Sequence, residues 1–159
     1  MLRIAIIGGG IGGLTAALAL KKFGFEAEVY EQAPALLDIG AAIALWPNAT
    51  RVLERLDLGE TIRAHAGEMR EIHWLDRNGF LVNRVRISNA VALHRADLQS
   101  TLLHALPAEL IKLGHSVVGY DTHGDKVIAR FSTEDDIEAD FLIGADGSVS
   151  LNHPLMNLT

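Results

Sequence analysis

Cysteine is absent from this 159-residue chain, which excludes disulfides, thiolate metal sites and cysteine nucleophiles together. A reducing, cytoplasmic setting is the expectation that fits. Basic charge is scarce: 14 Lys and Arg stand against 20 Asp and Glu, a formal net charge of −6. The cations are scattered rather than gathered into the stripe that tracks a phosphate backbone, so nucleic acid is not an expected partner. Long apolar runs are missing as well. The apolar stretch near the N-terminus is broken by Gly8, Gly9, Gly10, Gly12 and Gly13, no basic leader frames it, and a membrane helix needs about 20 continuous apolar residues. Neither a signal peptide nor a membrane span is expected. The seven histidines include no i, i+4 pair and no carboxylate cluster, so no metal site is expected. No G-x-S-x-G motif supports a hydrolase.

What is present is ordinary globular composition, 49% hydrophobic and 21% charged, at a length suited to one domain. Leu2 to Ile7 reads as a strand covered on both faces. Gly12 to Phe23 repeats apolar residues at helical spacing before the stop at Gly24. Glu28 to Glu31 reads as a second strand, completing a βαβ unit. Gly40 to Leu45 is expected to be extended. A helix should begin at Pro47, with Val52, Leu53 and Leu56 on its apolar face and Gly59 as its end. Met69 to Leu75 and Phe80 to Ile87 alternate around Asp76–Gly79, the signal of a hairpin and of a small antiparallel layer. Ala96 to Leu106 is helical and closed by Pro107. Val117 to Tyr120 and Val127 to Phe131 pair around Gly124, and Phe141 to Ile143 is a last strand running into Asp146 and Gly147. The pattern predicts an α/β fold, Rossmann-like, with a parallel sheet and an antiparallel layer over 1–147, followed by a tail over 148–159.

Gly8, Gly10 and Gly13 satisfy G-x-G-x-x-G between the first strand and the helix, the context in which that spacing has mechanical meaning. The first makes the turn, the second lets backbone approach a pyrophosphate, and the third lets helix pack on strand. The helix mouth, including Ile11 and Gly12, offers unpaired N–H groups to the anion. Glu31, 18 positions after Gly13 and followed by Gln32, stands where an acidic residue meets a ribose diol. These features suit an adenosine diphosphate without a 2′-phosphate, which FAD and NAD both carry.

Across residues 1 to about 150 the chain resembles the group A flavoprotein monooxygenases, the FAD-dependent aromatic-ring hydroxylases that include salicylate hydroxylase, 3-hydroxybenzoate 6-hydroxylase and the FAD-dependent urate hydroxylase. The resemblance rests on IAIIGGGIGGLTAALAL, VYEQAP, GAAIALWPNATRVLERLDL, LHRADLQSTLLHAL and DFLIGADGS, in the family's order. It implies FAD as cofactor, NAD(P)H as transient electron donor, and a small aromatic substrate in the full-length family. It also implies that Arg95 reaches the FAD pyrophosphate, that Asp146 of the DG motif serves the ribose and pyrophosphate, and that backbone near Ala44 and Val117 touches the flavin or adenine. No residue of this chain is expected to be catalytic. The family's Arg after the DG motif is missing here, as is its downstream substrate-binding sheet, so the expectation is the FAD-binding portion of such an enzyme, without the substrate domain. The alternatives are a NAD-binding Rossmann domain, or a noncatalytic remnant acting through protein contacts, with homo-oligomers favoured by an exposed apolar face.

Overall fold

The computed structural model describes residues 2–36, 41–132 and 136–147. The tail expected over 148–159 and the start of the extended segment at Gly40 lie outside the described residues. The chain divides into two compact units, Met1–Leu37 with Leu102–Thr159, and Asp38–Thr101.

The first unit is built on a parallel sheet. Strand β1 (Ile4–Ile7) is followed by helix α1 (Ile11–Lys22) and strand β2 (Ala27–Glu31), and β2 lies parallel to β1 with Ile4 opposite Ala27. The expected βαβ unit is thus present. Alanines give α1 intrinsic helicity, and its end is set by a Schellman turn: Gly24 has φ of 81°, the Gly24 N–H donates to the Lys21 carbonyl, and the Phe25 N–H donates to the Leu20 carbonyl. The sheet order is β10–β1–β2–β6, where β6 is Ile111–Leu113 and β10 is Phe141–Gly144. β6 was not predicted; three residues are too few to establish a period. One face of β1 and β2 is covered by α1, whose Leu14, Ala17 and Leu18 are buried. On the opposite face, Ala5, Ile7 and Tyr30 form a core with Ala129, Phe131 and Ala139. Those last three belong to an antiparallel sheet of β7 (Val117–His123), β8 (Lys126–Phe131) and β9 (Ile137–Ala139). Burial on both faces explains why β1 reads as an unbroken apolar run.

The second unit carries the antiparallel layer, with strand order β3–β5–β4. Strand β3 (Ala42–Leu45) pairs with the far end of β5 (Leu81–His94), and β4 (Gly67–Leu75) pairs with β5 along most of its length. The predicted hairpin turn is anchored by Asp76, whose carboxylate accepts from the Asn78 and Phe80 N–H groups at 2.8 Å each, with Gly79 at φ 85°. β5 runs past the expected Ile87 to His94.

Two expectations in this unit are corrected. Helix α2 (Pro47–Arg55) ends before Gly59, which opens a further helix, α3 (Gly59–His65). The stop is Asp57 at φ 62°, with Asp57 and Leu58 N–H groups donating to the Glu54 and Leu53 carbonyls. Asp tolerates the left-handed region well enough to close a Schellman turn without glycine. Leu53 is buried as expected, but Val52 is 44% exposed, Leu56 is only partly buried, and Thr50 shares the buried face of α2. Thr50 is accommodated because its hydroxyl donates to the Asn89 carbonyl at 2.9 Å. Helix α4 (Arg95–His104) follows β5 as predicted, and the boundary between the units falls within it.

Candidate functional site

The carboxyl end of β1 is a topological switch point: the chain leaves through α1 toward β2 on one side, while β10 lies on the other. Crevices of open α/β sheets form at such points. Here the crevice mouth is lined by the Gly turn, and each glycine has a distinct steric reason. Gly8 has φ of 109°, its N–H donates to the Tyr30 carbonyl at 2.8 Å, and a Cβ on it would fall within 2.6 Å of the Ala145 carbonyl carbon. A Cβ on Gly13 would overlap the Gly8 carbonyl oxygen. These two glycines are therefore demanded by the protein itself. Gly10 and Gly12 differ: a Cβ on either meets nothing within 4 Å among the described residues. The space they leave is open, which is what close approach by a diphosphate requires.

Gly10 is also the N-cap of α1, with no side-chain cap and no acidic residue in the first turn. The amides of Ile11, Gly12 and Gly13 begin the helix, where N–H groups have no carbonyl four residues back to bond. The mouth thus combines partial positive charge, orphan donors and open space, the ingredients of an anion site.

Glu31 ends β2 beside this mouth. Its carboxylate accepts from the Gly9 N–H at 2.7 Å through Oε2 and from the Ala33 N–H at 2.9 Å through Oε1. Both oxygens are fixed, yet each keeps a further lone pair for a hydroxyl donor. Gly9 and Ala33 are site residues that motif reading missed. A signal for Gly9 existed in the unbroken Gly8–Gly10 run: a Cβ there would lie 3.0 Å from the Glu31 Cβ. Gln32, next in the chain, is exposed. The DG segment reaches the same mouth from β10, as the Ala145 N–H donates to the Ile7 carbonyl at 2.7 Å, and Asp146 follows directly, partly exposed. The structure therefore brings together Gly8, Gly10, Ile11, Gly12, Gly13, Glu31, Gln32 and Asp146.

Of the remaining predicted residues, one belongs to the first unit and two to the second. Val117 opens β7 opposite Phe131 and packs against the core beneath the parallel sheet. Ala44 and Arg95 belong to the second unit. Ala44 is an exposed residue of β3, and Arg95 is the exposed first residue of α4, its N–H donating to the Ala41 carbonyl at 3.2 Å. The Arg95 guanidinium makes no ion pair among the described residues.

Behind the mouth, the Tyr30 hydroxyl donates to Glu28 at 2.7 Å. Burial first, then this hydrogen bond, pushes the phenol up to about 12. Burial works against the Glu28 carboxylate, but hydrogen bonds from Tyr30 and Arg3 outweigh it and hold its pKa below the usual value. Tyr30 therefore stays neutral and Glu28 charged at physiological pH, which makes this pair a structural tie and not a proton relay. Among the described residues no cluster of His, Asp or Glu is arranged to hold a metal ion, and no helix is long and apolar enough to cross a membrane.

The family described as FAD binding domain matches residues 1–157. A 3-amino-4-hydroxybenzoate 2-monooxygenase of Streptomyces platensis is 38% identical over 159 residues, covering 91% of this chain and 39% of the relative. A FAD-dependent urate hydroxylase of Klebsiella oxytoca is 33% identical, with 96% of this chain and 42% of the relative covered. Among solved structures, Klebsiella pneumoniae HpxO complexed with FAD and uric acid superposes with a TM-score of 0.85 at 30% identity, covering 96% of this chain and 41% of that one. The chain thus spans about two fifths of the length of the relatives it matches. The match is to FAD proteins, so the cofactor is the flavin dinucleotide and not NAD alone.

Proposed function

The chain belongs to the FAD-binding domain family, and from that premise we propose that its Gly turn and Glu31 seat the ADP half of FAD in an enzyme that hydroxylates a small aromatic substrate with NAD(P)H and O₂. Bound flavin supplies the redox chemistry, carrying electrons from the nicotinamide donor to O₂. The chain's own residues bind and orient. Amides of Ile11, Gly12 and Gly13 meet the diphosphate, the missing Cβ at Gly10 lets it approach, and the two fixed oxygens of Glu31 accept from the ribose diol. Gln32 and Asp146 border the same mouth. Arg95, with no ion-pair partner of its own among the described residues, is assigned to phosphate by family resemblance, since a guanidinium pairs bidentately with phosphate oxygens. Backbone at Ala44 and Val117 is assigned to the flavin or adenine on the same ground. The aromatic substrate class is supported by the names of the relatives, which act on aminohydroxybenzoate and urate.

The observation that carries this reading is the unfilled space at Gly10 above an uncapped helix N-terminus. It sets up a clean test. Gly10→Val meets no protein atom and sits at φ −74° and ψ −179°, a conformation valine favours, so cofactor-free stability should fall by no more than about 1 kcal/mol for a poorer N-cap. Titration followed by flavin fluorescence quenching should show FAD affinity reduced by about tenfold or more, as expected when diphosphate contacts worth over about 1.4 kcal/mol are lost. Equal affinity of Gly10→Val and wild type would remove the Gly turn from the site. Arg95→Ala and Glu31→Ala in the same titration assign the two side chains.

A further inference from the structure

His115 lies just beyond β6, in the short link that carries the chain from the parallel sheet into β7. β6 runs beside β2 with Leu113 opposite Glu31. Gly114 then turns at φ 77°, and the link bonds back to the end of β2: the Gly114 N–H donates to the Ala33 carbonyl at 3.1 Å and the His115 N–H to the Glu31 carbonyl at 2.9 Å. Glu31 is therefore held twice, its carboxylate by Gly9 and Ala33 and its main chain by His115. All of these residues belong to the first unit.

We propose, on the footing that Glu31 meets the ribose diol, that His115 is a positioning residue for nucleotide binding, its imidazole fixing the end of β2 so that the Glu31 carboxylate stands at the diol. Any residue but proline can make the amide bond to Glu31. What histidine adds is a ring and a donor together. Its Nδ1 lies 2.8 Å from the Leu113 carbonyl oxygen; a carbonyl only accepts, so Nδ1 carries the proton and donates, folding the side chain back over its own turn. The ring then stands edge-on to Tyr30, with centroids 5.5 Å apart and planes at 69°, and to Phe131, at 5.5 Å and 89°. Tyr30 and Phe131 are themselves 5.1 Å apart. Three rings so arranged attract one another beyond the area they bury, which leaves Tyr30 little freedom, and the Tyr30 carbonyl is the group that accepts from the Gly8 N–H. His115 thus supports both sides of the mouth, Gly8 through Tyr30 and Glu31 through the main chain. Phenylalanine at this position supplies the ring without the donor. Asparagine supplies the donor without the ring, since its Nδ2 takes the place of Nδ1.

The test crosses two ligands with the variants. ADP and 2′-deoxy-ADP differ by one hydroxyl of the diol assigned to Glu31, and each is used to displace FAD from the whole chain, followed by recovery of flavin fluorescence. Wild type should prefer ADP by about tenfold, the effect of one hydrogen bond to a charged group. In His115→Ala the preference should fall to about threefold or less, because a carboxylate no longer held at the diol cannot tell the two nucleotides apart. His115→Asn and His115→Phe, which each keep half of the support, should fall between wild type and His115→Ala. A role confined to stability leaves the preference untouched, since both nucleotides then lose affinity by one factor. An unchanged preference in His115→Ala and His115→Phe therefore overturns the proposal and leaves Glu31 at the ribose. A wild-type chain that does not distinguish ADP from 2′-deoxy-ADP overturns the assignment of Glu31 to the diol, and the role of His115 with it.

Discussion

Glu31 and Glu71 are both strand carboxylates with several hydrogen-bond partners, yet they sit in opposite kinds of region. Glu31 is gripped by two backbone amides, Gly9 and Ala33, at the tip of a strand in a sheet buried on both faces. Glu71 is gripped by side chains, His73 with Arg84 and Arg86 behind it, on an exposed two-stranded ribbon. Backbone donors cannot swing away or lose their proton, so Glu31 has a fixed position and spare lone pairs, the condition for reading a ligand. Side-chain donors on a solvated ribbon rearrange and are screened by salt, so Glu71 is adaptable and its attachment modest.

The sharpest way to break the contrast is to disturb the backbone that holds Glu31. Gly13→Ala places a methyl into the Gly8 carbonyl oxygen, so the turn must shift. A loss of about 1–3 kcal/mol is expected from overpacking, only partly offset by the gain of up to about 1 kcal/mol in helix propensity. Thermal melts of the cofactor-free chain should show it, with FAD affinity falling alongside. Together with Gly10→Val, this separates a glycine required by the fold from one required by the ligand.

A smaller effect is expected at Glu31 itself. In Glu31→Gln one of the two oxygens becomes an NH₂ group, so one of the Gly9 and Ala33 amides faces a donor. The unmatched donor costs about 1–3 kcal/mol if fully buried, and nearer the lower value at this partly exposed site. A measurable drop in the melting temperature without FAD should therefore precede any loss of affinity. A variant as stable as wild type would mean that these amide bonds do not organise the turn.

The smallest effect belongs to Glu71. The His73 hydrogen bond, then the charges of Arg84 and His73, hold its carboxyl below the ordinary 4.5. A group whose folded pKa is depressed contributes stability that is present above its unfolded value and is lost as pH falls through the folded one. Wild type and Glu71→Gln should therefore differ slightly at neutral pH, and the difference should decline as pH falls below the ordinary 4.5 and shrink in high salt, because the group is solvent-exposed. Melts compared at neutral and acidic pH check this.

The same contrast bears on how much was legible in advance. The βαβ opening, the Gly turn, the acid at the tip of β2 and the Asp76–Gly79 hairpin all show in local pattern, because each rests on a short-range rule: period 3.6, period 2, or a residue able to adopt positive φ. β6 and β9 do not show, since three-residue strands are made by their neighbours. Asp57 was passed over as a helix stop because Gly59 is the stronger statistical signal; the carbonyls of Leu53 and Glu54 chose the nearer residue.

By itself the amino-acid order determined that a strand, a glycine turn and a helix come in succession with an acid about one strand later, because those properties depend on steric freedom and side-chain period over a few residues. Only the tertiary structure decided which glycines leave room for a ligand and which make room for the chain. That depends on Ala145 arriving beside Gly8 from a strand more than 130 residues away, and a distance in sequence carries no steric information until the sheet closes it.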